Sequence, residues 1–355
     1  MRTVLKPVTF VLVTGLALLG ALAGPAAACG GLVAPNGAVQ LLRTTTLAAH
    51  VDGVEHYVTS FAFASAEESF GAIVPLPGEP TSVERAGGWT LQRLVQEVQP
   101  PTLEDSAVRQ DLAFASADRD VEIVLTAEID ALDVTVVRGG GTEVAEWAEE
   151  QGFTISEDAP ELLDFYSDRS PYFMAARFDA ERARQDDFVE GDAIPVHIEI
   201  PTDNPWVPIR ILALDKPGTE VVQADVFLLT DQRPSLLGPE ALELERSEEA
   251  NDLLLDDLRS DENSEWVPED AWFTYLRIEA PAEALTGDLA IDVHGNTPSP
   301  VAAGFVGGEL AGGPVLRTGD GSAEPWGAAV VVLAVAVLVG GTVLVRNREP
   351  RAARR

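Results

Sequence analysis

Cysteine is almost absent from this chain, which has one such residue, Cys29, among 355. A single cysteine cannot form an intrachain disulfide, so the folded part has to be stabilised by an ordinary hydrophobic core. Hydrophobic residues make up 46% of the sequence. That content is sufficient for one large domain or two modest ones, with processing segments in addition.

Positive charge is also scarce, with 24 Lys and Arg residues against 58 Asp and Glu residues and a net charge of −34. The two ends are nevertheless basic: residues 1–28 carry +2 and residues 346–355 carry +4, which leaves −40 on residues 29–345. A surface of this sign repels the phosphate backbone, so we exclude DNA and RNA as partners. The simplest interpretation is a solvated acidic shell, although such a surface also attracts cations and basic partners.

Familiar catalytic motifs are missing as well. The sequence contains no H-E-x-x-H, no G-x-S-x-G and no G-x-x-x-x-G-K-[ST], and the glycine triplet 139–141 lacks the lysine that would reach a phosphate. We therefore predict no catalytic residue and no cofactor-binding residue. The sequence favours a non-enzymatic protein over an enzyme.

Histidine is limited to four residues: His50, His56, His197 and His294. The Asp-Gly pair at 52–53 predicts a two-residue hairpin turn in which position 50 pairs with 55 and position 49 with 56. In that register His50 and His56 point to opposite faces and cannot share a metal ion. His197 alternates with apolar residues, so we predict that it faces solvent beside Glu199, without a partner for general-base catalysis.

The N-terminal residues 1–28 have the pattern of a secretory signal. Two basic residues precede an apolar run over 8–22, and small residues at 26–28 supply a cleavage site. The apolar run is shorter than the roughly 20 residues that a spanning helix needs. Cleavage would leave Cys29 at the new N-terminus as a candidate lipidation site, but Ala26 stands where such sites usually have leucine.

The C-terminal region predicts a membrane anchor. Residues 327–345 are 19 consecutive uncharged residues, which form about 28 Å of helix and match the hydrocarbon thickness. The basic tail 346–355 is expected to stay in the cytoplasm. We therefore predict a single-pass protein of the cell membrane, with an extracellular domain over 29–294 and a Gly/Pro-rich stalk over 295–326.

The extracellular part is dominated by strand-like segments, and its few helical segments are short. This pattern predicts an α+β fold with mainly antiparallel sheet and short docking helices. One of these helices is expected over 89–98, with Trp89 as a packing anchor and the glycines at 87 and 88 allowing an unusual backbone. The similar stretches YFMAARFDA and WFTYLRIEA, 100 residues apart, fit either two similar β-rich halves or chance similarity between strands.

An acidic segment over 243–265 holds ten Asp and Glu residues in 23 positions. Oxygen-rich loops bind Ca²⁺, and the candidate ligands here are Asp256, Asp257, Asp261 and Glu262. The D-x-[DN]-x-[DN]-G spacing of a dedicated calcium loop is absent. A solvated helix or loop is the alternative interpretation.

Several stretches of the chain are distinctive when taken together. They are Ala28–Gly31 after the signal and the segments FGAIVPLPGEP, GGWTLQRLVQEVQPP, EVAEWAEEQGFTISEDAPELLDFYSDRSPYFMAARF, IPVHIEIPTDNPWVPIRIL and ADVFLLTDQRP. In these stretches the chain resembles a bacterial family of unknown function, DUF2330. The resemblance covers most of 29–293 and implies an exported, often membrane-tethered protein without implying an activity. Some relatives have a further cysteine near the N-terminus, which this chain lacks.

Three functional hypotheses follow. The first is a membrane-anchored binding or scaffolding module that contacts an envelope protein or polymer. The second is an envelope hydrolase using a carboxylate pair, which needs two acids facing each other across a cleft. The third is a Ca²⁺-dependent adhesion or sensing module.

Overall fold

The computed structural model of the protein describes residues 31–33, 44–62, 71–98, 121–153, 155–185, 193–304 and 315–316. The predicted signal, Cys29, the anchor 327–345 and the basic tail lie outside these residues, as does part of the stalk. Within the described ranges, no helix combines the length and apolar character needed to cross a membrane.

Strands dominate the described part of the chain. They are β1 (Gly31–Val33), β2 (Thr44–Val51), β3 (Val54–Ala62), β4 (Gly71–Leu76), β5 (Ser82–Arg85), β6 (Glu122–Ile129), β7 (Leu132–Arg138), β8 (Tyr172–Phe178), β9 (Ala193–Pro201), β10 (Trp206–Val207), β11 (Val221–Thr230), β12 (Ser235–Leu237), β13 (Leu242–Glu249), β14 (Trp272–Pro281), β15 (Leu289–Asp292) and β16 (Val315–Leu316).

The helices are short. They are α1 (Thr90–Val98), α2 (Gly141–Glu150), α3 (Ala159–Ser167), α4 (Ala180–Gln185) and α5 (Asp252–Arg259), with 3-10 turns at Arg210–Ala213 and Ala282–Ala284. The prediction of a mostly β, α+β protein with short helices is therefore confirmed.

The strands form three sheets. The largest has the order β13-β14-β11-β2-β3-β9-β5, the second has the order β1-β4-β8-β7-β6, and a small sheet has the order β10-β15-β12-β16. All strand pairs described are antiparallel except β2 with β11. The two similar stretches noted above lie in different sheets, as β8 and β14.

Three buried clusters show how the elements are layered. The central cluster packs one face of the seven-stranded sheet against one face of the five-stranded sheet, with side chains such as Tyr57 and Met174. The outer face of the five-stranded sheet packs on α2 and α3. The outer face of the seven-stranded sheet packs on α1 and α5, through residues such as Leu94, Leu254 and Phe227. The apolar faces of both sheets are thus covered, as a stable layered fold requires.

The β2–β3 hairpin has the predicted register. Position 50 pairs with 55 and position 49 with 56, and both turn residues have positive φ, 51° at Asp52 and 82° at Gly53. His50 and His56 therefore lie on opposite faces, as predicted. His50 donates a hydrogen bond from Nε2 to the carbonyl of Thr202 at 2.9 Å.

The connection before α1 contradicts two details of the sequence interpretation. Trp89 is 37% exposed, so it is not the packing anchor; the helix instead buries Leu91 and Leu94. Gly87 does not have a positive φ. Glycine is needed at position 87 because a Cβ atom there would come within 2.1 Å of the Asp261 carboxyl carbon.

Candidate metal centre

Three neighbouring strands at one end of the seven-stranded sheet bring two histidines and two acids to one face. His56 on β3 pairs with Glu199 on β9, and His197 on β9 pairs with Glu84 on the edge strand β5. Directly paired residues and residues two apart on one strand share a face of the sheet. All four side chains therefore project toward the layer that contains α1 and α5.

The two imidazole rings meet edge to edge. Nδ1 of His56 lies 3.0 Å from Nε2 of His197 in a hydrogen bond. The ring planes differ by 17° and the centroids are 5.2 Å apart, so the rings lie side by side in nearly one plane. One nitrogen of this pair donates a proton and the other accepts it. An ion that takes the place of the shared proton would be bound by both rings.

A carboxylate completes a possible ligand set. Oε1 of Glu199 lies 3.9 Å from Nδ1 of His56, and one ligand atom each from His56, His197 and Glu199 all lie within 4.8 Å of one another. Among the residues that the structure describes, no other trio of His, Cys, Asp or Glu side chains is close enough to hold one ion. Below, these three residues are called the histidine cluster.

Trp266 covers the histidine cluster from one side. Its ring lies 4.4 Å from the His56 ring with an interplanar angle of 5°, and 5.1 Å from the His197 ring with an angle of 23°. Because the two imidazoles are nearly coplanar, the indole stacks over both. This shields them from water on that side and leaves the carboxylates toward solvent.

Trp266 belongs to the connection between α5 and β14, residues 260–271, here called the strap. The strap is fixed at its start by Asp261, whose Oδ2 accepts hydrogen bonds from the backbone N–H groups of Trp89 and Thr90 at 2.9 and 2.7 Å. It is fixed again by Asn263, which donates to the carbonyl of Arg85 at 2.9 Å. These bonds hold the strap, and with it Trp266, to the N-terminus of α1 and to the end of β5.

Burial keeps the two histidines neutral. It lowers the pKa of His197 to about 3, with a smaller lowering from the neighbouring His56. Burial also lowers the pKa of His56, against an opposing effect of Glu199. Neutral imidazoles have lone pairs available for an ion at neutral pH.

Acidic groups surround these neutral rings. Burial, followed by the charges of Glu199 and Glu265, raises the pKa of Glu84. The mutual repulsion shows that the three carboxylates are near enough to sense one another. A cation placed among them would relieve this repulsion, because opposite charges at short range favour the ionised carboxylate.

The prediction that His197 faces solvent is wrong, since the residue is 1% exposed. Alternation with Val196 and Ile198 predicts a strand with one solvent-facing side. Strand β9 is in fact flanked by β3 and β5 and covered on the histidine side by Trp266, so both of its faces are buried. The signal available in the sequence was the pair His197 and Glu199, two apart on one strand.

The four candidate calcium ligands each have another partner. Asp256 pairs with Arg259, Asp257 with Arg93 and Glu262 with Arg85, while Asp261 caps α1. The structure does not bring the four together into one ligand set among the described residues. Calcium binding at this segment stays an untested prediction.

Fold and site together define a layered α+β protein with a histidine and carboxylate cluster on the outer face of its largest sheet. The chain belongs to the DUF2330 family, described as uncharacterized proteins conserved in bacteria, whose sequence model matches residues 23–236. This confirms the family resemblance. The matched range contains the histidine cluster and Glu84 but ends before the strap.

No curated protein matches the chain in sequence. Among solved structures, the crystal structure of baculovirus P35 aligns with 12% identity and a TM-score of 0.37, covering 71% of this chain and 95% of that one. A mutated baculovirus P35 after caspase cleavage aligns with 10% identity and a TM-score of 0.35, covering 70% and 98%. Similarity at this level supports no conclusion about fold or function.

Proposed function

We propose that this protein is an exported, membrane-anchored binding module of the bacterial cell envelope that holds a divalent transition-metal ion at the histidine cluster. In this proposal residues 327–345 span the membrane, the domain over 29–294 lies outside, and the tail 346–355 lies in the cytoplasm. The uncharged segment followed by arginines supports the location, and the family is bacterial.

The observation that carries the metal proposal is the pair of neutral imidazole nitrogens 3.0 Å apart beside a carboxylate. Two nitrogens bound to one tetrahedral zinc ion at 2.0–2.1 Å lie about 3.3 Å apart. The two nitrogens now point at each other, so each ring has to turn by roughly 35° for both lone pairs to converge on one tetrahedral ion. Imidazole is a good ligand for Zn²⁺, Cu²⁺, Ni²⁺ and Fe²⁺, whereas Ca²⁺ and Mg²⁺ prefer sites made of oxygen atoms.

Metal binding is tested on the full chain in detergent by titrating Zn²⁺ against a chromogenic chelator. We expect one ion per chain, no competition from millimolar Ca²⁺ or Mg²⁺, and loss of binding in the double variant His56→Gln, His197→Gln. His294 is exposed and outside the cluster, so His294→Gln is the matched control and should bind as wild type does.

Two outcomes would overturn the metal proposal. One is the absence of stoichiometric Zn²⁺ binding, and the other is undiminished binding in the double variant. Stoichiometric Ca²⁺ binding that is lost in Asp257→Asn and kept in the double histidine variant would favour the calcium-dependent module instead.

The location is tested separately by adding protease to whole cells. Cleavage of the domain with protection of a tag placed after Arg355 supports the proposed orientation. Protection of the domain with an accessible tag would overturn it.

A further inference from the structure

His197 has a second nitrogen that the ligand set does not use. Its Nδ1 is buried and has no hydrogen-bond partner, although Oε1 of Glu84 lies 3.4 Å away. Buried polar nitrogens are nearly always hydrogen bonded in folded proteins. The approach of a carboxylate to such an atom, without a completed bond, marks an interaction that a small movement would form.

The register of the sheet places the two nearby acids on different sides of the cluster. Glu84 lies directly opposite His197 across β5 and β9, behind the ring nitrogen that points away from His56. Glu199 lies opposite His56, beside the two nitrogens that face each other. Glu84 is on an edge strand and its side chain is half exposed, so its carboxylate is able to close the remaining gap.

Metal binding determines which nitrogen of an imidazole ring carries the proton. A ring that binds an ion through Nε2 needs its lone pair there, so its single proton has to sit on Nδ1. Each neutral ring keeps its one proton when the ion enters, and any proton on the nitrogen facing the ion moves to the opposite nitrogen. A carboxylate that accepts Nδ1–H fixes both the tautomer and the ring orientation, as is usual for histidines that bind metals.

We infer that Glu84 is the positioning residue of the proposed metal centre: it accepts the Nδ1 proton of His197, while Glu199 supplies a ligand oxygen to the ion. This inference rests on the proposed metal function. The sequence does not distinguish these two acids. In this assignment Glu199 contacts the metal, whereas Glu84 acts only through His197.

The test compares Zn²⁺ affinity and the visible spectrum of the Co²⁺-loaded full chain in detergent. Glu84→Leu removes the acceptor and is expected to weaken Zn²⁺ binding by roughly 10- to 100-fold, with the Co²⁺ bands unchanged in position and intensity. Glu84→Gln keeps a carbonyl acceptor and should restore most of the affinity. Glu199→Leu removes a ligand and should change the Co²⁺ bands.

Two further measurements separate the positioning role of Glu84 from the effect of its negative charge and from any effect of the variants on folding. Glu265→Gln removes a nearby negative charge without removing an acceptor from His197. Because exposed charges have small effects, the Zn²⁺ affinity of this variant should fall by less than about threefold. The ¹⁵N-histidine spectrum of the Zn²⁺-loaded wild type should show His197 protonated on Nδ1, which requires no variant to fold.

The outcomes distinguish this inference from the proposed function. A wild-type chain that binds no Zn²⁺ overturns both. Wild-type binding with an unaffected Glu84→Leu variant, a His197 ring protonated on Nε2 in the loaded protein, or Co²⁺ bands altered by Glu84→Leu overturns only the role of Glu84.

Discussion

Glu55 and His56 are neighbours on β3, and their side chains point to opposite faces of the same sheet. Glu55 faces the interior between the sheets, where it is fully buried. His56 faces the strap, where its ring contacts His197 and Trp266. Burial raises the pKa of Glu55 to about 8 and lowers the pKa of His56.

The same cause therefore keeps an acid protonated on one face and a base unprotonated on the other, because burial disfavours whichever form is charged. The difference lies in what surrounds each group. Glu55 stands beside Ile200 and His50 across the sheet, with no ligand set around it. His56 has a second imidazole and a carboxylate within reach. A buried ionisable group suggests binding chemistry only where others converge on it.

The largest expected effect concerns Glu55. In the unfolded chain its pKa is near 4.5 and in the folded protein about 8, so folding takes up a proton between these pH values and stability falls as pH rises. The slope is about 1.4 kcal/mol per pH unit at most. Glu55→Gln should remove this contribution. The free energy of unfolding of the variant, relative to that of wild type, should therefore rise by about 3–5 kcal/mol between pH 4.5 and 8.

This prediction is measured by urea unfolding of the metal-free chain across that pH range. Glu79→Gln, which changes an acid exposed at the surface, is the control. A difference in the free energy of unfolding between Glu55→Gln and wild type that does not vary with pH would contradict the raised pKa.

The opposite sign is expected for His197. Its pKa is near 6.5 in the unfolded chain and about 3 in the folded protein, so unfolding takes up a proton and stability falls as pH drops through this range. His197→Gln should remove about 2–4 kcal/mol of this acid dependence. Unfolding of the metal-free variant between pH 3.5 and 6.5 measures the effect, with His294→Gln as the control; equal acid dependence in wild type and His197→Gln would refute it.

Zinc should distinguish the two neighbours on β3 directly. At a free concentration of 100 times the dissociation constant, an ion that binds only the folded state adds about 2.7 kcal/mol to the free energy of unfolding. We expect this gain at pH 7 in wild type and in Glu55→Gln, and its loss in His56→Gln. Chemical unfolding with and without Zn²⁺ provides the measurement, and a gain retained in His56→Gln would exclude the histidine cluster as the site.

The smallest effect should come from the cover of the cluster. Trp266→Leu removes the stacking of the indole on two imidazoles, and such aromatic contacts contribute about 1 kcal/mol beyond their buried area. Trp89→Leu changes a tryptophan that is 37% exposed and serves as the control. Quenching of tryptophan fluorescence by Cu²⁺ should decrease in Trp266→Leu and persist in Trp89→Leu; the reverse pattern would place the ion elsewhere.

The sequence contained enough information for the local structure and too little for the site. The β2–β3 register followed from one turn, because an Asp-Gly hairpin fixes the pairing of both strands. The meeting of His56 with His197 joins positions 141 residues apart, and no periodicity indicates that β9 lies beside β3. Alternation also cannot distinguish a solvent-facing histidine from one that is covered by a segment distant in sequence, and His197 is of the second kind.

Gly87 illustrates a different kind of constraint. The carboxylate of Asp261 occupies the space where any other residue would place its first side-chain carbon, and the same carboxylate binds the start of α1 and holds the strap. Evolutionary variation should therefore be restricted to glycine at position 87 wherever an acid is kept at position 261. The two positions should change together among homologues.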